Sequence, residues 1–240
     1  MKAAIKRMYK HVGVRKSAAD AAARGWVVTL DERELRTPAR KVLALPTEAL
    51  AMGVALEWEA QQEHIYPESM PLMKLATTTI DQVPTIRPTM VDSMLRCLQS
   101  DATCFRSSEE PALMAKEEAA YAPLHAWATD ALQLPLGVTD TMVLTHPPGT
   151  LPRASELLHE ADDWELAALD SIGGTSKSLV IALALAKFHF GAAEACVAAR
   201  VAEQHQIDEW GEVEAGHDLD AADLAVRIGA GSAFLRMLGR

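Results

Sequence analysis

Cysteine is scarce in this chain, and the cysteines present lack the spacing of a site. Cys97, Cys104 and Cys196 are odd in number and form no Cys-x-x-Cys pair. That argues against a disulfide framework and a zinc knuckle, and points to a reducing compartment. Aromatic residues make up 5% of the 240 residues while alanine is abundant, which favours helix over an all-β architecture. The longest apolar run, Leu179–Ala186, stops at Lys187, far short of the roughly 20 residues of a membrane span, so no membrane insertion is expected. Low-complexity tracts and internal repeats are absent too. With 49% apolar and 23% charged residues, the composition is that of folded domains.

Positive charge is short in the second part. Residues 1–100 carry 14 Lys and Arg against 11 Asp and Glu; residues 101–240 carry 9 against 22. An acidic C-terminal part is repelled by phosphate backbones, so no nucleic-acid partner is expected. Lys2, Lys6, Arg7 and Lys10 precede the first acid, Asp20. This start is too short for a targeting peptide and reads as a solvated arm. With no leader visible, the expected setting is a bacterial cytoplasm, or the mitochondrial matrix for a processed eukaryotic form.

The first part has the period of strands. Val12 and Val14 share one face of Tyr9–Arg15, and Trp26, Val28 and Leu30 alternate with Val27 and Thr29. Asp31-Glu32 supplies turn chemistry before Glu34–Thr37, and Val42–Leu45 makes another short strand. Thr47 is an N-cap for a helix in which Leu50, Val54, Trp58 and Gln61 recur at helical spacing. From Pro71 the pattern is helical. Pro71 and Pro88 open helices over Leu72–Val83 and Thr89–Ser100, separated at Pro84-Thr85. Pro111 opens a run to Leu134 that Pro123 should kink or divide. Residues 135–150 form a connector, and helices follow over about 152–170, 175–190, 192–215 and 220–238. The expected fold is α+β: a small β-rich N-terminal domain with a packed helix (residues 1–84), then a larger all-α C-terminal domain (85–240).

Chemistry concentrates in Trp210-Gly211-Glu212-Val213-Glu214-Ala215-Gly216-His217-Asp218. Glu214 and His217 have the i, i+3 spacing of half a di-iron site, yet a second Glu-x-x-His is lacking. Glu212 or Glu214 with His217 could serve acid/base catalysis, but no nucleophile elbow or anion-binding glycine loop completes the set. A metal-dependent or acid/base enzyme using Glu212, Glu214, His217 and Asp218 is one reading. Carboxylates capping an exposed helix end are another. Trp210, alone among acids and amides, suits a docking anchor, whereas Trp58, Trp127 and Trp164 have apolar neighbours and read as core. Gly173-Gly174-Thr175-Ser176-Lys177-Ser178 resembles a phosphate loop, and a nucleotide-binding regulator is a third reading. However, Ser176 stands where glycine must precede the lysine, and an acidic helix precedes the motif. A glycine helix end followed by a Thr/Ser cap accounts for the motif without a ligand.

Read in order, Tyr9-Lys10-His11-Val12, Val28-Thr29-Leu30-Asp31, Leu35-Arg36-Thr37-Pro38-Ala39 and Leu45-Pro46-Thr47 form a recognisable series. Glu57-Trp58, Ile65-Tyr66-Pro67, Met70-Pro71-Leu72, Leu75-Ala76-Thr77, Asp81, Asp101, Cys104, Arg106 and the Trp210–Asp218 stretch continue it. The series resembles the assembly chaperones of the F(1) sector of ATP synthase that receive the α subunit, in mitochondria and some bacteria. The resemblance implies no catalysis and no cofactor or metal. It implies a transient complex with unassembled α subunit, whose surface later given to β the chaperone shields; the chain itself is expected to be a monomer. It also places a functional acid at Glu214, with Glu212 beside it, so that Trp210, Glu212, Glu214, His217 and Asp218 are the expected partner-binding residues.

Overall fold

The sheet grows around one central strand. The computed structural model describes residues 5–17, 25–213 and 216–239. β1 (Ile5–Lys6), β2 (Val12–Lys16), β3 (Trp26–Leu30), β4 (Arg33–Glu34) and β5 (Ala44–Leu45) precede the first helix. β3 pairs antiparallel with β2 along its length, from Val12 opposite Leu30 to Lys16 opposite Trp26. It pairs with β4 through Thr29 and Leu30 and with β5 through Trp26 and Val27. Asp31 and Glu32 both have positive φ, 45° and 66°, the geometry of a two-residue turn whose twist suits a hairpin. The Asp31 carboxylate also accepts from the backbone N–H groups of Lys10 and His11, which holds its pKa below the usual carboxylate range. The alternation expected of β3 is lost: Val27, Val28 and Thr29 are all buried, because a central strand is covered on both faces.

α1 (Glu48–Glu59) lies across β2 and β3, and the Thr47 hydroxyl caps it by accepting from Leu50 N at 3.2 Å. Beyond it, β6 (His64–Ile65) pairs with β1. The basic start is therefore no solvated arm from Ile5 onward. Arg7 donates to Glu59 O and Gln61 O at the end of α1 and lies 4.6 Å from the Tyr9 ring centroid. Tyr9 in turn donates to Trp58 O. Carbonyls left open at a helix C-terminus attract a cation, and that attraction fixes the segment.

α2 (Pro71–Asp81) opens with a proline and has no capping side chain at Met70. Glu57 supplies the cap from α1, its two oxygens accepting from Leu72 N and Met73 N, each at 2.7 Å. Asp81 at the far end accepts from Thr37 Oγ1 and Ala39 N, tying down the Thr37-Pro38-Ala39 loop.

α3 (Val83–Gln99) is continuous, with Pro88 inside it, and the interruption falls at Gln82 instead of Pro84-Thr85. Pro84 sits in the first turn, where no N–H is needed. α4 (Pro111–Leu132) likewise runs through Pro123. α5 (Thr150–Glu160) and α6 (Asp163–Ser176) replace one expected helix, because Asp162 accepts from Trp164 N and Glu165 N and starts α6 afresh. α7 (Leu179–Ala186), α8 (Ala192–Ala199), α9 (Val201–Trp210) and α10 (His217–Met237) complete the chain. The observed fold is α+β, a small N-terminal β region followed by a mainly helical part.

The chain divides into two compact units, Met1–Arg87 with Ala233–Arg240, and Pro88–Ser232. In the second, all eight residues of α7 are buried, with α4, α6 and α8 packed against it. The connector over 135–149 is irregular but fastened: His146 accepts from Gly137 N and meets Leu98 O, and Thr150 donates to Pro135 O. Gly231 allows α10 to approach α6, since a Cβ there would stand 2.6 Å from Ile172 Cγ1.

Burial pushes the Glu57 carboxyl up to about 7, against the pull of its two N–H donors. A folded pKa above the unfolded value of about 4.3 favours the fold at low pH, and that contribution is lost as pH rises through about 7. Relative to the parent chain, Glu57→Gln should gain on the order of 1–2 kcal/mol as pH goes from about 4.5 to above 7, allowing for solvent at the carboxyl. Paired urea titrations across that range measure the difference.

Candidate functional site

Trp210 ends α9, and Gly211 behind it has φ +86°, a conformation that breaks the helix and that side chains disfavour. The indole is left 75% exposed, and Val213 and Leu219 are each 61% exposed. Glu212 and Asp218 are exposed as well. Glu214 lies outside the described residues. Asp218 falls in the first turn of α10, where a carboxylate is favoured by the N-terminal end of the helix dipole.

His217 is half-buried, with a local task. Its Nδ1 accepts from Val213 N at 3.2 Å, its own N–H donates to Val213 O, and its carbonyl accepts from Arg200 Nη2. Arg200 also holds Glu203 through Nε and Nη2, at 2.9 and 2.8 Å. This pairing raises the arginine pKa and lowers that of the glutamate. The α8–α9 corner thereby anchors the start of α10. Among the described residues, no three His, Cys, Asp or Glu side chains stand together as a metal requires.

The Gly173–Ser178 motif forms a helix junction. Gly173 to Ser176 belong to the last turn of α6, Lys177 is the left-handed cap at φ 55°, and Ser178 caps α7 by accepting from Ile181 N. The capping residue is the lysine, not a glycine as expected. The N–H groups of Lys177 and Ser178 both close on Gly173 O, and Lys177 O accepts from Ala102 N, which offsets the strain.

Several motif residues of the series serve the frame. Asp101 is fully buried and accepts from Thr103 N, Thr103 Oγ1 and, at the start of α7, Val180 N. Burial raises its pKa despite those donors. Arg106 donates to Thr103 O and Phe105 O, pairs with Glu118 at 3.2 Å and lies 5.0 Å from the Tyr121 ring centroid. His125, against Thr103, is pushed down to about 4 by burial and then by Arg106. Burial lifts the Cys97 thiol to about 11 and that of Cys104 to about 12, so neither supplies a thiolate at neutral pH. Trp58, Trp127 and Trp164 are half-buried; Trp127 stacks on His189 at 4.5 Å.

Sequence reasoning missed the polar seam between α4 and α9. His205 is 4% exposed, bonded through Nε2 to Glu110 at 2.9 Å and through Nδ1 to Lys116 at 3.3 Å. Lys116 also meets Asp208 at 2.7 Å. A lysine ammonium only donates, so Nδ1 accepts and Nε2 carries the proton toward Glu110. The partners are about ninety positions away along the chain, and no local spacing signals them. Beside this seam lies a groove of about 300 Å³, walled by residues 106–110, the first turn of α4, Asp140, α9 and Trp210.

A family model described as ATP12 chaperone protein matches residues 6–129. The chain belongs to that family, the F(1)-sector assembly chaperones. It is 26% identical over 222 residues to the mitochondrial protein atp12 of Schizosaccharomyces pombe, covering 87% of this chain and 76% of that one. The crystal structure of Atp12 from Paracoccus denitrificans is 30% identical with a TM-score of 0.88, and 98% of each chain is covered. A protein of Agrobacterium tumefaciens gives the same identity and TM-score over 97% of this chain and 86% of its own.

Frame and surface residues should separate cleanly in this ATP12-family chain. Asp101→Ala, which leaves buried donors unpaired, should cost about 2–3 kcal/mol, and Trp210→Ala should change stability by less than about 0.5 kcal/mol. Chemical denaturation of the two variants measures both.

Proposed function

We propose that this ATP synthase assembly chaperone receives the unassembled α subunit of the F(1) sector and covers the surface that α later gives to β. The observation that carries the reading is Trp210, 75% exposed at the end of α9 and flanked by exposed Glu212 and Val213. A large aromatic held open to water among acids has no packing role, and interface anchors are of this kind.

The physics of the task supports the same reading. A ring subunit on its own presents apolar interfaces that invite aggregation when they exceed a few hundred Å². A temporary cover must bind through a few anchors within a polar rim, so that the permanent partner can displace it. The acidic character of the second part favours fast, oriented encounter with basic patches. In this reading Trp210 is the anchor, Glu212, Glu214 and Asp218 form the acidic rim, and His217 fixes the start of α10. The chain acts as a monomer without catalysis.

Purified chain should suppress aggregation of isolated α subunit, followed by light scattering, and the complex should disperse when β subunit is added. Equal aggregation with and without the chain contradicts the proposal. Trp210→Ala should weaken the complex by about tenfold or more, the loss of one anchoring aromatic, and Glu214→Lys should weaken it without altering the unfolding temperature. Titration calorimetry reads both effects.

A further inference from the structure

The groove beside Trp210 has a shape and charge that the docking surface alone does not require. Its volume of about 300 Å³ is at the small end of ligand sites and suits one long side chain better than a cofactor. Trp210 and Leu113 supply apolar wall, and Glu109, Glu110 and Asp140 supply carboxylates. Arg106 also lines it, but its guanidinium is engaged by two carbonyls and Glu118. Glu110 is tied to His205. Among the described residues neither Glu109 nor Asp140 has a cationic partner. The segment carrying Asp140 adds exposed apolar side chains, with Val138 at 54%, Met142 at 94% and Val143 at 73% exposed. An aromatic wall and two carboxylates without a cationic partner therefore line one opening, and the segment that brings Asp140 to it also carries exposed apolar side chains.

We infer that the groove is a subsite for an arginine side chain borne on an apolar segment of the client protein. A guanidinium lies flat on an indole face while its N–H fork reaches carboxylates at the edge, and the residues on either side of it cover the exposed apolar side chains. Lysine reaches the same carboxylates as a point charge and gains less from the ring, so arginine is preferred. The inference rests on the reading of this surface as the client-binding one. It adds to that reading the chemistry of what enters: a cation flanked by apolar side chains, not an apolar residue alone.

The test uses the full chain and two synthetic peptides, acetyl-Leu-Arg-Leu-amide and its citrulline counterpart, which keeps the shape and removes the charge. Binding is followed through the indole N–H resonance of Trp210, assigned with Trp210→Phe. The arginine peptide should shift that resonance to saturation, with the citrulline peptide weaker by about fivefold or more. Replacing both free acids, Glu109→Gln with Asp140→Asn, should weaken the arginine peptide by a similar factor at an unchanged unfolding temperature. Equal affinity for the two peptides overturns the inference, as does an unsaturable shift or a response confined to other tryptophans. Equal affinity of the parent chain for the two peptides, while it and the double variant protect α subunit alike, removes the subsite and leaves the chaperone reading standing. Failure to protect α subunit alongside selective arginine binding removes that reading instead.

Discussion

Leu179–Ala186 carries no polar side chain on any face, and that constraint organises the second unit. A helix of this kind is stable in water only when surrounded, and α4, α6 and α8 surround it. Like any helix it leaves its first N–H groups without intrahelical acceptors, and in a buried helix those donors need acceptors from elsewhere in the protein. Ser178 and the buried carboxylate of Asp101 provide them. Asp101 in turn fixes Thr103, and the same short turn places Arg106 and the wall of the groove. A buried apolar helix thus positions, through one aspartate, residues that face solvent.

The surface derives from the positions that core leaves unused. α9 is held to α4 by His205, Lys116, Glu110 and Asp208 rather than by a greasy seam. Its final residue, Trp210, lines the groove yet stays 75% exposed, and Gly211 at φ +86° ends the helix behind it. The second half of α10 is packed, with Ile228 fully buried and Gly231 against Ile172, whereas Leu219 and Val226 in its first half stay open. An assembly chaperone needs such a division: a rigid frame that does not change with the client, and an open end that can be occupied and vacated.

Much of this was legible from residue order. The strand expected over Tyr9–Arg15 and found at Val12–Lys16, the strand Trp26–Leu30, the Asp31-Glu32 turn, the Thr47 cap and the proline starts at Pro71 and Pro111 rest on local chemistry, and local chemistry decides them. The features that escaped depend on partners distant in sequence. Pro88 and Pro123 remain within helices because packing outweighs one missing hydrogen bond. One expected helix is divided at Arg200, whose backbone leaves the helical region at φ −123° and whose guanidinium bonds Glu203 and the His217 carbonyl. Asp162 divides another because its carboxylate caps the start of α6. The basic start looked solvated because the carbonyls of Glu59 and Gln61 that capture Arg7 come more than fifty residues later. At the site, Trp210 stood out by its company, while His205 and the groove were invisible for want of any local pattern.

Whether the open end of α9 and the start of α10 meet the α subunit is decided by hydrogen exchange of the full chain with and without purified α subunit. Exchange should slow over residues 201–219 and in the 106–113 segment that walls the groove, with the buried amides of α7 unchanged. Unaltered exchange across both segments while the β-sheet side becomes protected would contradict that contact.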